Sequence, residues 1–347
     1  MLAVRSEDGC EERAAAAWLV MLQNLMVSHR MLSFACVAVL PMLAVGVSSQ
    51  TFPGTKRTPP TLRVFLLAGQ SNMEGQAVVD LDHKQHYNGG RGTLQHVMAN
   101  ALDKQRYEHL RGKDGKWTKR SDVVVWYRAR GEQMKVGELS IGYAVYDDLH
   151  HFGPELQFGH VVGEHFADPV LLIKTAWGGK SLAKDFRPPS AEGETGPYYT
   201  RMVSEYQEAI AAVAKTFPQF AKHKPELSGF VWFQGWNDMC DKEATAAYEA
   251  NLVHLIHDVR RDLGAPKLPI VVAETGNADH EVFRKAQRLG VEHPDVAGPA
   301  VFVPTRAFLR KPGDSPNTGH GHHWFGNAES YFLIGDAMGR AMLPLLQ

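Results

Sequence analysis

The sequence predicts an α/β protein, a three-layer α/β/α arrangement around a doubly wound, mostly parallel sheet. Three observations predict it. Short apolar runs of β-branched, aromatic and leucine side chains recur along the chain with almost no polar face, as strands covered on both sides do. Longer stretches with apolar residues at helical spacing separate them. Turns rich in Gly, Ser and Asn follow several of the runs, at the carboxyl ends where open parallel sheets hold ligands.

Residues 1–50 form an N-terminal extension. Within it, an apolar run over residues 31–47 follows His29 and Arg30 and ends in small residues near 47–49, the layout of a secretory signal. The run is interrupted by Pro41 and falls short of the roughly 20 apolar residues a bilayer span needs, so stable membrane insertion is not expected. The expectation is a secreted or periplasmic protein, exported through the segment Met31 to Ser49. Residues 51–61, rich in Pro and Thr, read as a linker, and residues 62–347 as one folded domain.

The first strand is expected over residues 62–68 (LRVFLLA), the next over 123–127 (VVVWY). Residues 80–120, irregular and rich in His, Gly, Asn and Lys, read as an insertion over the edge of the sheet. A helix over 153–166 leads to a strand over 170–175 (VLLIKT), and a helix over 198–217 to a strand over 229–234 (GFVWFQ). A helix over 244–263 precedes a strand over 268–273, and a final helix is expected over 327–345.

Of the 347 residues, 44% are hydrophobic and 22% charged, which excludes disorder over the whole length. Lys and Arg number 37 against 38 Asp and Glu, a formal net charge of −1 without like-charge blocks, so neither nucleic acid nor anionic lipid is an expected partner. Three cysteines are too few for a disulfide framework and too far apart for a zinc site.

The first strand runs into Gly69-Gln70-Ser71-Asn72-Met73-Glu74-Gly75. A serine at the carboxyl end of a strand, opening a helix, exposes its hydroxyl and sets its backbone N–H where an oxyanion can be held. Ser71 is therefore a candidate nucleophile, with helix capping the alternative. The segment Thr175 to Ser181 ends in Gly-Lys-Ser, but a phosphate-binding loop needs glycine where Lys174 stands. Gly178 and Gly179 instead suit close backbone approach, or a tight turn of positive φ.

Residues 229–238 bring Asn237 to the same rim, its amide a neutral donor for an oxyanion. Asp238 reads as a cap or as the orienter of a partner. His320, His322 and His323 lie just before the last helix without interleaved acidic or Cys ligands, which disfavours a metal; one of them suits the general base for Ser71. No cofactor is called for.

Taken together, Gly69-Gln70-Ser71-Asn72-Met73, Gly178-Gly179, Gly235-Trp236-Asn237-Asp238 and His323-Trp324-Phe325-Gly326-Asn327-Ala328 resemble the blocks of the SGNH hydrolase superfamily. Within it the chain is similar to the sialate O-acetylesterase and acetylxylan esterase group, a likeness that includes Gly153-Pro154-Glu155. The resemblance implies a flavodoxin-like SGNH hydrolase fold and a serine esterase acting on an acetylated carbohydrate through an acyl-enzyme. By it, Ser71 attacks, His323 takes the proton, and the N–H groups of Ser71 and Gly179 with the Asn237 amide hold the oxyanion. Gly178 is the alternative should the glycine block be offset by one.

Two departures stand out. His320 occupies the position where the superfamily often has Asp, and Trp236 the position where many relatives have Glu. The third triad member stays open among Asp238, Glu274, Asp314 and a backbone carbonyl, since the acid mainly orients the imidazole. A carbohydrate-binding protein without hydrolysis is the alternative that this gap allows. Trp126, Trp177, Trp236 and Trp324 are expected at the rim, packing the core or stacking on sugar.

Overall fold

The computed structural model describes residues 59–346; residues 31–49, where an export signal is expected, and most of the expected linker lie outside them. The chain runs through β1 (Thr61–Gly69), α1 (Ser71–Glu74), β2 (Ala77–Val78), α2 (Leu94–Asn100), α3 (Gln105–Glu108), β3 (Arg120–Arg128), β4 (Met134–Leu139) and β5 (His151–Phe152). It continues with α4 (Glu155–His165), β6 (Val170–Ala176), α5 (Pro197–Thr216), β7 (Lys224–Phe233), α6 (Trp236–Met239), α7 (Lys242–Asp262), β8 (Ile270–Ala273), α8 (Glu281–Glu292), β9 (Ala300–Val303) and α9 (Ala328–Met342).

Seven strands form one sheet in the order β4-β3-β6-β1-β7-β8-β9. All neighbours pair in parallel except β3 with β4. The run β6-β1-β7-β8-β9 is a flavodoxin-like core, with β3 and β4 added as an antiparallel hairpin on its edge. The α/β/α expectation holds, with two strands of this sheet, β4 and β9, unforeseen. β4 was hidden because polar residues alternate along it.

The apolar strands are apolar on both faces because each face has its own core. Phe65 and Leu67 of β1 pack with Leu156, Phe158 and Val162 of α4 and Ile334 and Met338 of α9. Leu62, Val64, Leu66 and Ala68 point the other way, towards Met202 and Val213 of α5 and Leu252 and Ile256 of α7. Period-two alternation sends successive side chains to opposite faces, so a strand with both faces covered has no polar positions to spare. Capping sets the helix starts: Asp241 accepts from the Ala244 N–H at 2.9 Å and Asn327 from the Ser330 N–H at 3.2 Å.

Within residues 80–120, Tyr107 leans on α9, where its ring meets that of Phe332 with centroids 4.6 Å apart. Among the described residues no helix is long and apolar enough to cross a membrane.

β1 decides where the site forms. It lies between β6 and β7, so the chain leaves it towards opposite sides of the sheet and opens a crevice at its carboxyl end.

Candidate active site

Gly69 ends β1 against the end of β7; a Cβ there would stand 2.2 Å from the Phe233 carbonyl oxygen, so only glycine fits. Gln70 is the N-cap of α1, and Ser71 is its first residue. The capping alternative for Ser71 thus falls away, because the cap position belongs to its neighbour. Gln70 ties the strand ends together: its Oε1 accepts from the N–H groups of Gly235 at 3.1 Å and Asn237 at 3.4 Å, and its Nε2 donates to Asn237 Oδ1 at 3.2 Å.

With its oxygen held by Gln70, the Asn237 amide presents Nδ2 towards the glycine turn and donates to the Gly179 carbonyl at 3.0 Å. Gly178 and Gly179 do different work. A Cβ on Gly178 would lie 2.9 Å from Glu74 Oε2 and 3.5 Å from Ser71 Cβ, so its hydrogen lets the turn press against the serine. Gly179 has φ 74° and nothing within 4 Å of a Cβ, so it is glycine for its backbone. The Gly178 N–H faces the Glu74 carboxylate.

His323 reaches this rim through its neighbours. Asn72, next to Ser71, donates from Nδ2 to the His322 carbonyl at 3.1 Å and accepts from the Tyr331 hydroxyl at 2.6 Å. Asn277 donates to the carbonyls of Gly321 and His322 at 3.0 and 2.9 Å. These clamps hold a turn in which Trp324 and Phe325 have φ of 53° and 56°. Left-handed backbone at non-glycine residues costs about 1 kcal/mol or more each and persists only where surroundings enforce it. The structure makes no hydrogen bond between Ser71 Oγ and His323. Burial, and then the charges of His322, His320 and Arg130, hold the His323 imidazole well below its ordinary pKa, so it is neutral and able to accept a proton.

Asp238 does not serve His323. Its carboxylate accepts from the N–H groups of Leu182 at 2.9 Å and Ala183 at 2.8 Å and from Gln234 Nε2 at 2.6 Å, and it is fully buried. Burial pushes its pKa up to about 6 despite these donors. It anchors the turn beyond Gly179, with its oxygens already taken. Glu274 is spent likewise on the N–H groups of Thr305 and Arg306, at 2.7 and 2.9 Å. No carboxylate among the described residues contributes to the His323 shift. Nor does any group of three or more His, Cys, Asp or Glu among them have a metal-holding arrangement.

The profile of the family described as carbohydrate esterase, sialic acid-specific acetylesterase, matches residues 61–342. The chain belongs to this family. It is a carboxylic ester hydrolase. The esterase is 25% identical over 243 residues to a probable carbohydrate esterase of Arabidopsis thaliana, covering 68% of this chain and 78% of that one. The crystal structure of an Arabidopsis thaliana protein is similar with a TM-score of 0.54 at 17% identity, over 83% of this chain and all (100%) of that one. That of NanS is similar with a TM-score of 0.51 at 15% identity, over 83% and 98% of the two chains. At such identities the two structures speak for the fold.

Three of the four rim tryptophans of the esterase are core. Trp126, Trp177 and Trp324 are 2%, 7% and 0% exposed, whereas Trp236 is half-buried with its ring 5.8 Å from that of His322. Only Trp236 of the four has a face left for a ligand.

Sequence reasoning missed the support beneath the esterase's serine. Lys174, noted only for failing a phosphate-loop pattern, is fully buried and donates to the carbonyls of Glu74 at 2.8 Å and Tyr143 at 2.6 Å and to Glu155 Oε2 at 2.7 Å. Glu155 also accepts from the Gly153 N–H at 2.9 Å, which explains the Gly-Pro-Glu block. The available signal was a lysine inside an otherwise apolar strand: a buried ammonium must meet a carboxylate and carbonyls.

Proposed function

We propose that the esterase removes O-acetyl groups from a carbohydrate through an acyl-enzyme on Ser71. The observation that carries this reading is the meeting of Ser71, the Gly178–Gly179 turn and the Asn237 amide at the carboxyl end of β1. The Ser71 oxygen attacks the acetyl carbonyl as His323 takes its proton. The N–H groups of Ser71 and Gly179 and the second N–H of Asn237 Nδ2 receive the negative oxygen. His323 then gives the proton to the departing sugar oxygen, and water repeats the sequence to release acetate. The chain of clamps through Asn72, Asn277 and Tyr331 takes over the positioning that a carboxylate performs in a Ser-His-Asp triad.

The family description names sialic acid esters, and Trp236 suits a sugar face. Acetate release from acetylated sialic acid, acetylated xylan and para-nitrophenyl acetate by wild type and Ser71→Ala tests the reading. If the variant matches wild type on every substrate, the serine mechanism fails. Export through residues 31–49 is a further proposal, tested by sequencing the N-terminus of the protein recovered outside the cytoplasm.

A further inference from the structure

The mouth of the site carries a guanidinium that the mechanism above does not use. Arg130 follows β3, and its side chain is 72% exposed. Its ion pair among the described residues is with Glu74, Nη2 to Oε2 at 3.8 Å, too long for a hydrogen bond. Glu74 is 1% exposed, and that same oxygen has no hydrogen-bond partner among the described residues. The guanidinium is thus attracted to a buried carboxylate while its donors stay unspent among the described residues.

Gly178 shows how close this cation is to the nucleophile. A Cβ there would lie 3.1 Å from Arg130 Nη2 and 3.5 Å from Ser71 Cβ, so the two side chains flank a single glycine. The Arg130 charge also reaches His323. The turn that presents Arg130 is held in place: Gly131 and Glu132 have φ of 72° and 64°, and Arg201 pairs with the Glu132 carboxylate at 2.7 Å. A left-handed non-glycine residue pinned by an ion pair is strain of the kind that collects at functional sites.

We propose that Arg130 is a specificity-determining residue that docks a carboxylate of the acetylated sugar, with Glu74 as its positioning residue. The proposal rests on the esterase reading above and assigns a residue to substrate choice. A planar guanidinium offers two parallel N–H groups that match a carboxylate, an arrangement a lysine ammonium cannot reproduce. Glu74 lies behind the guanidinium, on the buried side, so an incoming anion meets the exposed donors. A balanced net charge is no obstacle, because one local cation suffices.

The test compares O-acetylated N-acetylneuraminic acid with its carboxamide, and with para-nitrophenyl acetate, in wild type, Arg130→Gln, Arg130→Lys and Glu74→Gln. Wild type is expected to favour the acid over the carboxamide by about tenfold in kcat/KM, through KM, with the preference shrinking as salt is added. Arg130→Gln abolishes the preference, Arg130→Lys restores part of it, and Glu74→Gln raises KM for the acid more than it lowers kcat. Thermal melts show which variants remain folded, and Arg130→Lys keeps the charge should the glutamine variant not fold. Equal rates on acid and carboxamide in wild type, or a preference that survives in folded Arg130→Gln, would overturn the proposal alone. Absence of acetate release from all three esters in wild type would overturn the esterase reading and this proposal with it.

Discussion

The hydroxyl of Tyr331, on the last helix, donates to the side-chain oxygen of Asn72, next to the nucleophile candidate, at 2.6 Å across 259 residues of sequence. Tyr331 also reaches the His323 carbonyl at 3.4 Å, so one buried phenol couples the serine turn to the histidine turn. Tyr331→Phe strands a buried amide oxygen, which costs about 1–3 kcal/mol. The expected result is a lower Tm and a kcat reduced several-fold, with KM little changed. A fall in Tm with kcat intact would show that the phenol serves stability alone.

His323→Ala and Asp238→Asn separate chemistry from scaffolding. Loss of the base is expected to cost about 100-fold or more in kcat, at near-normal Tm. Asp238→Asn puts an amide where the N–H groups of Leu182 and Ala183 converge and is expected to cost about 1–3 kcal/mol of stability. Its kcat should fall less than that of His323→Ala. Equal kcat losses with unchanged melting would restore Asp238 as the orienter of the base.

Gly178→Ala and Gly179→Ala should fail for different reasons. The first forces a methyl to within 2.9 Å of Glu74 Oε2 and against Ser71, so kcat/KM should collapse. The second has free space but a φ of 74°, so its expected cost is about 1 kcal/mol of backbone strain with measurable activity retained. Parallel kinetics and melts on both variants check this.

The acid limb of kcat/KM on para-nitrophenyl acetate should lie below the ordinary histidine pKa of about 6.5, because burial and nearby cations hold His323 neutral. The linkage to stability has two opposing parts. The depressed His323 contributes stability present above its unfolded pKa and lost as pH falls through the folded one. Asp238, raised from 3.8 to about 6, contributes stability present below 3.8 and lost as pH rises through about 6. Asp238→Asn should therefore flatten the loss of stability between those values, as followed by denaturant melts at each pH. An acid limb centred above pH 7, outside the expected range, would contradict the neutral-base assignment.

Lys174 and Glu155 form a fully buried pair at 2.7 Å. Removing one partner should be worse than removing both, since a lone buried charge costs about 3–5 kcal/mol while an apolar pair of similar volume can be nearly neutral. Lys174→Met is expected to lower Tm more than Lys174→Met combined with Glu155→Leu. The reverse order in the melts would show that the pair itself supplies net stability.

Much of this molecule was legible along the chain. The strand at 62–68 was recognisable because burial on both faces leaves a local mark, and the serine, glycine and asparagine blocks were legible because each sits at the end of such a strand. The amphipathic helix α8 is not among the expected elements, and the polar alternation of β4 hides it. Neither carries a site block that would have drawn attention to it.

The linear pattern established the layered fold, the rim and the order of its blocks, because hydrophobic periodicity and turn chemistry are properties of neighbouring residues. The partners of the charged groups followed from packing. Asp238 stands beside Asn237 in sequence yet belongs to Leu182, 56 residues away, and Lys174 supports Glu74 from 100 residues away. A buried carboxylate or ammonium is satisfied by whichever donors or acceptors the folded chain brings within about 3 Å, and no local pattern records that choice.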